Sequence, residues 1–370
     1  MDCQVKKYTG YKFYGTLSTS GNWIDSEDVC VSICWQLQNQ NWPCRSANYI
    51  QSKNTCELMQ DAYGDLGTSP DSYLKQDSTS TYLIPVSCRA RGSTNNIRPG
   101  SCGQASVPQR VSRAYLSGQA AFQRIVGGNE ARPHSIPFIV SLRSWSWHFC
   151  GGTLIRVNDK DESDIVITAS HCIGGDPNNP NFNVVAGAHY RGRKQPGEED
   201  VPVVKVIMHP EYNKPGSTAN DIAVLKLARP IKFTDTIQPA CLPAQDEKIQ
   251  ENVRGIVAGW GALSEGGNSP DALNQVVVPT IGHSKCLTMY GTIYEHAMLC
   301  GGYEQGQQDS CQGDSGGPYF FEGKNGYTLH GVVSWGAGCA RPRAPGVYAR
   351  VSTYINWIKQ QIQALTAVRG

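Results

Sequence analysis

Residues 309–318 read DSCQGDSGGP. Ser315 stands here between an aspartate and two glycines, four residues after a cysteine. Glycine admits backbone angles closed to other residues and lets main chain crowd a ligand, so Ser315 is presented to whatever approaches. An isolated serine hydroxyl is a weak nucleophile until a base activates it. The stretch therefore demands a histidine and an acid elsewhere. TASHC places His171 directly after a β-branched run and beside Cys172. NDIAVLKL places Asp221 at the head of another apolar run, where its carboxylate would be partly buried. Nucleophile, general base and orienting acid thus occur in the chain order His, Asp, Ser. Taken singly, a histidine near a disulfide is usually structural and an aspartate before a strand is usually a turn residue. The conjunction with GDSGGP carries the reading.

The rest of the composition sets the class. A length of 370 residues favours two domains. With 39% hydrophobic and 17% charged residues the chain reads as a soluble globular protein, with no apolar run long enough to span a bilayer. A formal charge of +2 excludes an electrostatic case for nucleic acid. Fourteen cysteines, none in a tight C-x-x-C pair, read as seven disulfides formed in an oxidising compartment, not as metal ligands. The expected location is extracellular, by secretion. The start, MDCQVKKYTGYKF, has no apolar core after its first charges, so it reads as a mature or truncated sequence with an added or internal Met1. No N-x-S/T acceptor occurs.

Organisation along the chain follows from punctuation. Cys3, Cys30, Cys34, Cys44, Cys56 and Cys88 crowd the first 88 residues. A stretch rich in Gly, Ser, Pro and Arg follows, holding only Cys102, and reads as a linker. The expected division is a disulfide-rich module over 1–90, a linker and activation segment over 91–124, and a large domain over 125–370. In the last, DIVITA, FNVVAG, DIAVLKL and GIVAGWG alternate with turns, suggesting an all-β barrel or sandwich. Ile355, Ile358, Ile362 and Leu365 recur at helical spacing and predict an amphipathic C-terminal helix. DSEDVCVSICWQL predicts a helix capped by Asp25 or Ser26, with Val29, Ile33 and Leu37 on one face. Cys30 and Cys34 then lie one turn apart, beyond ordinary disulfide reach, and should bond to other elements. Six cysteines leave fifteen connectivities open.

From Ile125 to about Val368 the chain resembles a trypsin-type (chymotrypsin-fold) serine protease, with RIVGG, CGGTLI, TASHC, DIAVLKL, VAGWG, GDSGGP, VSWG and PGVY standing throughout. The resemblance implies a mainly β fold: two six-stranded antiparallel barrels with a C-terminal helix and an active site in the crevice between them. It implies that His171 takes the proton of Ser315 and returns it to the leaving amine, while Asp221 fixes the His171 tautomer. The amides of Gly313 and Ser315 would hold the oxyanion. Asp309 would lie at the base of the primary specificity pocket, with Ser310 beside it and Gly336 and Gly346 lining its walls. Cleavage after Arg or Lys is the implied specificity. QRIVGG offers an Arg124–Ile125 bond, and the family's proteases become active when that bond is cut and the new Ile125 ammonium meets Asp314. Self-activation and an upstream trypsin-like protease both fit Arg124. Protein or peptide substrates, an activating protease and protein inhibitors are the implied partners. No cofactor and no metal are required.

The same resemblance implies the pairs Cys150–Cys172, Cys286–Cys300, Cys311–Cys339 and Cys102–Cys241, the last keeping the amino-terminal part attached after cleavage. The first 90 residues resemble an apple (PAN) module, a small α+β unit in which a helix is stapled to an antiparallel sheet. Its nested pattern would give Cys3–Cys88, Cys30–Cys56 and Cys34–Cys44. Such modules often bind proteins or carbohydrates; a spacer is the plainer role.

Some departures bear on regulation. In YRGRKQPGEED, where some relatives bind calcium, the first two liganding acids become Ala188 and Gln195, leaving Glu198, and one hard carboxylate seldom suffices. Pro345 stands where sodium-responsive relatives carry tyrosine. Arg341 and Arg343 read as a solvated loop near the pocket rim, and Ser170, in place of the more usual alanine, as a minor change. The alternative to an active endopeptidase is a silent, protease-like binding protein; both nucleophile and histidine are present, against that alternative.

Overall fold

Short apolar runs bounded by turns become strands throughout. The computed structural model describes residues 2–13, 17–22, 30, 46–53, 55–59, 74–89, 101–107, 128–306, 313–323 and 326–367. Contacts divide the chain into two units, Met1–Asn96 and Ile97–Gly370.

The first unit is a five-stranded antiparallel sheet of β1 (Asp2–Phe13), β2 (Leu17–Asn22), β3 (Ser46–Ile50), β4 (Thr55–Met59) and β5 (Leu74–Arg89), in the order β1-β5-β3-β4-β2. Cys30, helical and fully buried, bonds to Cys56 on β4. Cys3 and Cys88 stand opposite one another as partners across β1 and β5. The rest of the helix expected over 25–37, with Cys34 and Cys44, lies outside the described residues.

The second unit holds two barrels. β7 (Ile139–Ser144), β8 (Trp147–Leu154), β9 (Glu162–Thr168), β10 (Asn183–Ala186), β11 (Glu199–Met208) and β12 (Ala223–Lys232) close in the order β10-β11-β12-β9-β8-β7. β13 (Arg254–Gly259), β14 (Asn274–Ile281), β15 (Met298–Gly301), β16 (Pro318–Gly323), β17 (Gly326–Trp335) and β18 (Gly346–Arg350) form the second. They run β13-β16-β17-β18-β15-β14 and close through β13–β14; the two-residue β6 (Asn129–Glu130) adds to the outer edge of β14. This is the mainly β, double-barrel architecture that the motifs imply.

Burial explains the two kinds of strand sequence. Ile165, Val166 and Ile167 of β9 are each at most 1% exposed, so an unbroken apolar run is required there. β11 instead alternates, with Val201, Val203 and Val206 buried and Val204 exposed; a register shift after Val203 resets the phase. Phe138 and Phe320, both fully buried, meet edge to face at 4.9 Å and weld the barrels into one core. Helix α1 (His283–Tyr290) follows β14, and helix α2 (Ile355–Ala367) ends the described chain. Ile355 and Ile358 of α2 are buried, and Ile362 and Leu365 pack on the same core. Residues 101–104 belong to this unit. Cys102 bonds to Cys241, and Gly103 donates to Pro239 and accepts from Tyr327.

Candidate active site

Each barrel delivers part of one site. β9 ends in a single 3-10 turn, Ser170–Cys172, which carries His171. The turn is anchored on both sides: Cys172 bonds to Cys150 of β8, and the buried Ser170 hydroxyl donates to the Ile222 carbonyl at 2.7 Å. Ser170 thus ties the histidine turn to the residue after Asp221, a larger role than its size suggests.

Asp221 is 1% exposed, more deeply buried than the sequence alone indicates. A buried carboxylate needs donors, and three are present. The His171 amide reaches Oδ1 at 2.9 Å, His171 Nδ1 reaches Oδ2 at 2.7 Å, and the Ser334 hydroxyl of β17 donates to Oδ2 at 2.5 Å. With Nδ1–H committed to the carboxylate, Nε2 of the neutral ring is the basic nitrogen. The negative charge of Asp221 also pushes up the phenols of Tyr212 and Tyr354, in each case after burial itself.

Ser315 reaches the same wall through main chain. Its carbonyl accepts from the Gly151 amide at 2.7 Å. Gly316, at φ +76°, is pressed so close that a Cβ there would lie 2.6 Å from the Gly151 carbonyl and 3.1 Å from Cys172 Sγ. Cys172 Sγ in turn lies 4.0 Å from His171 Nε2. The Ser315 loop therefore abuts the histidine turn; Ser315 Oγ itself makes no hydrogen bond among the described residues.

Cys150, His171 and Cys172 cluster as metal ligands might, their ligand atoms within 4.8 Å. The two sulfurs are bonded to each other, so no thiolate is on offer. The arrangement is a polarised imidazole beside a serine loop, suited to acyl transfer.

Comparison with known proteins agrees. Residues 125–358 match the Trypsin family, and residues 3–88 match the PAN domain. The chain belongs to the trypsin family. It is a serine endopeptidase carrying an amino-terminal PAN domain. Trypsin-1 of Astacus astacus is 40% identical over 64% of this chain and 98% of that protein. Ovochymase-2 of Mus musculus is 35% identical over 76% of this chain, which spans 48% of that protein. Transmembrane protease serine 9 of Rattus norvegicus is 40% identical over 70% of this chain, which spans 24% of that protein. No described helix is long and apolar enough to cross a membrane.

Of the residues expected along the specificity pocket, two are described. Gly336 and the buried Gly346 face each other, with the Gly346 Cα 3.9 Å from where a Cβ on Gly336 would stand. Tyr290 braces this wall by donating to the Pro345 carbonyl at 2.5 Å. Asp309, Ser310 and Cys311, with Arg124 and Ile125, lie outside the described residues. Cys339 is disulfide-bonded, as are Cys286 and Cys300 to one another.

Sequence reading missed one relay. The Gly313 carbonyl, 3.0 Å from His148 Nε2, can only accept, so the neutral ring carries its proton on Nε2 and its Nδ1 accepts from the Ser141 hydroxyl at 2.8 Å. Arg143 Nε in turn donates to Ser141 Oγ at 3.1 Å. Burial lowers the His148 pKa to about 4, against the raising effect of the Gly313 bond. A neutral imidazole of the first barrel thus grips the loop bearing the nucleophile. Ser334 was missed too, although VSWG contains it; nothing local marks which hydroxyl will face Asp221.

Two loops refine the expectation. Arg341 lies in a solvated loop as expected and forks onto Glu265, with Nε 2.7 Å from Oε2, and this bond holds the Glu265 carboxyl below its usual range. In the loop after Ala188, Gln195 accepts from the His189 amide at 3.2 Å. Its Nε2 donates to Glu198 at 2.6 Å and, at longer range, to the carbonyls of Tyr190 and Arg193. An amide nitrogen sits where those oxygens converge, which does not suit a cation there.

Proposed function

We propose that this chain is an extracellular protease precursor, activated by cleavage at Arg124–Ile125, that hydrolyses peptide bonds after Arg or Lys. His171 removes the Ser315 proton as Oγ attacks the scissile carbonyl, and the carbonyl π pair moves onto oxygen. The amides of Gly313 and Ser315 hold that oxyanion; losing one such donor typically lowers turnover about 10²–10³-fold. Collapse expels the amine, protonated by His171, and leaves an acyl-enzyme that water hydrolyses by the same route. Asp221 keeps Nε2 basic and stabilises the imidazolium.

The observation that carries this reading is the Asp221 carboxylate, buried and bonded at once to His171 and Ser334. The pocket assignment rests on Asp309, six residues before Ser315, whose carboxylate would draw a substrate guanidinium or ammonium. Extracellular location rests on the disulfides. The Cys102–Cys241 bond lies between the PAN domain and the cut site on one side, so the module stays tethered after cleavage. That module supplies binding to a protein or carbohydrate ligand.

The test is to cut Arg124–Ile125 with an external protease and titrate with an organophosphate. One label per chain on Ser315 is expected, with cleavage of arginyl and lysyl substrates. A folded, correctly cut sample that takes no label sinks the mechanism. An Asp309→Ser variant that still prefers basic residues sinks the pocket assignment.

A further inference from the structure

A protease that cuts after Arg or Lys meets its own substrates on the surface of every other copy, so the setting of its basic residues matters. In four places a basic side chain is followed at once by proline: Arg132–Pro133, Lys214–Pro215, Arg229–Pro230 and Arg341–Pro342. Lys214, Arg229 and Arg341 are exposed, and Arg132 is half-buried. A proline nitrogen carries ring Cδ where other residues carry hydrogen. The ring crowds the scissile nitrogen just where His171 must deliver a proton to the leaving amine. These four bonds are guarded.

The run Arg191–Gly192–Arg193–Lys194 has no such guard. It lies in the irregular loop between β10 and β11, with Gly192, Arg193, Lys194, Pro196 and Gly197 exposed, the kind of segment that proteases nick. Two of its three cations are engaged. Arg191 donates to the carbonyls of Pro270 and Ser269 at 2.9 and 3.0 Å, and the Arg193 guanidinium lies over the Tyr190 ring at 3.8 Å. Lys194 makes no hydrogen bond or ion pair among the described residues, so its side chain can enter a pocket without breaking one. Rival bonds are less available. Lys160 is clasped, its amide by Asn158 and its carbonyl by Arg156. The Arg343 amide is bonded to the Glu304 carbonyl, and the residue after Lys248, Ile249, packs on the core.

The place of this bond matters as much as its exposure. Between Ile125 and Lys194 the only cysteines are Cys150 and Cys172, and they are bonded to each other. A chain cut at both Arg124 and Lys194 therefore has no covalent link between the piece carrying His171 and the piece carrying Asp221 and Ser315. Ladders such as β9–β12 and β10–β11 hold the two together. Opening of the barrel, reversible in one chain, then lets the histidine leave with its fragment. We propose, resting on the Arg and Lys specificity above, that Lys194–Gln195 is a self-cleavage site, cut by a second active copy, which ends the working life of the enzyme. Water adds across the bond, leaving a Lys194 carboxylate and a Gln195 ammonium, and the cut loosens the Gln195 clasp on His189 and Glu198.

The test is to incubate the full chain, cut at Arg124–Ile125, and sample it over time. A new amino terminus at Gln195 should appear before any other internal one. The fragment 125–194 should separate on a denaturing gel without reductant, in step with the loss of activity. Lys194→Gln should keep kcat/KM on small substrates within twofold and lose activity several-fold more slowly. An enzyme that hydrolyses arginyl and lysyl peptides yet stays whole overturns the proposal. So does a first cut elsewhere, or a Lys194→Gln variant that fails as fast as the wild type. An enzyme that hydrolyses neither kind of peptide sinks the specificity reading instead, and with it the cut by a second copy. Added trypsin separates the two cases, because it should still nick Lys194–Gln195 first if the loop is as open as its exposure indicates.

Discussion

The two barrels contribute to one reaction by different means. The first barrel presents its groups complete: the His171 turn is fastened by a disulfide, by Ser170 and by two bonds to a single buried carboxylate. The second barrel presents Ser315 on a loop held from both sides: by Gly151 and His148 of the first barrel, and by Val333 on Gly316 and Gly317 and Gly261 on Asp314 from the second. His171 is thus fixed mainly within its own barrel, with Ser334 of the second barrel as a further donor to Asp221, whereas the Ser315 loop is fixed by contacts from both barrels.

Breaking the preorganised half should have the largest effect. Asp221→Asn leaves the shape intact but removes the acceptor that fixes the His171 tautomer, and kcat should fall about 10⁴-fold. A drop of less than tenfold in steady-state turnover would show that the first barrel does not orient the base.

The link between the halves is weaker and depends on pH. The folded-state pKa of His148, about 4, lies below its ordinary 6.5. Its contribution is complete above pH 6.5 and drains as pH falls towards 4, because the unfolded chain then binds the proton more readily. The stability lost across that window is about 3 kcal/mol. Urea unfolding at pH 7 and pH 4 should show His148→Gln losing less than the wild type by that amount. Equal losses would remove His148 as a neutral clamp on Gly313.

The smallest effect is the control. Gln195→Ala should lower stability by about 1–2 kcal/mol, while kcat/KM stays within twofold, because that loop touches neither half of the triad. A chelator that lowers the melting temperature of the wild type would show that a cation, not the Gln195 amide, gathers those oxygens.

Strands and chemistry were legible to different depths. β9 and β12 were readable from their short runs of buried apolar residues, Ile165–Ile167 and Ala223–Leu225, although β12 goes on through the buried Lys226, which pairs with Asp164 of β9. The helix at the end was readable from Ile355 and Ile358, whose spacing is a property of one turn. Arg341 is solvated as expected, but its pairing with Glu265 was not foreseen because that partner lies 76 residues away. Trp145, 91% exposed at the β7–β8 turn, breaks the rule that large apolar residues go inside, and nothing in the structure explains it.

By itself the amino-acid sequence pointed to His171, Asp221 and Ser315 and to an all-β barrel or sandwich, since these rest on residue types at short, local spacings; the double barrel and the PAN domain came from the resemblance to their families. Tertiary structure alone decided which partners those groups acquire: Ser334 on Asp221 and His148 on Gly313. Hydrogen bonds act over about 3 Å and only where chains have already been brought together by burial. No pattern along one strand encodes that meeting.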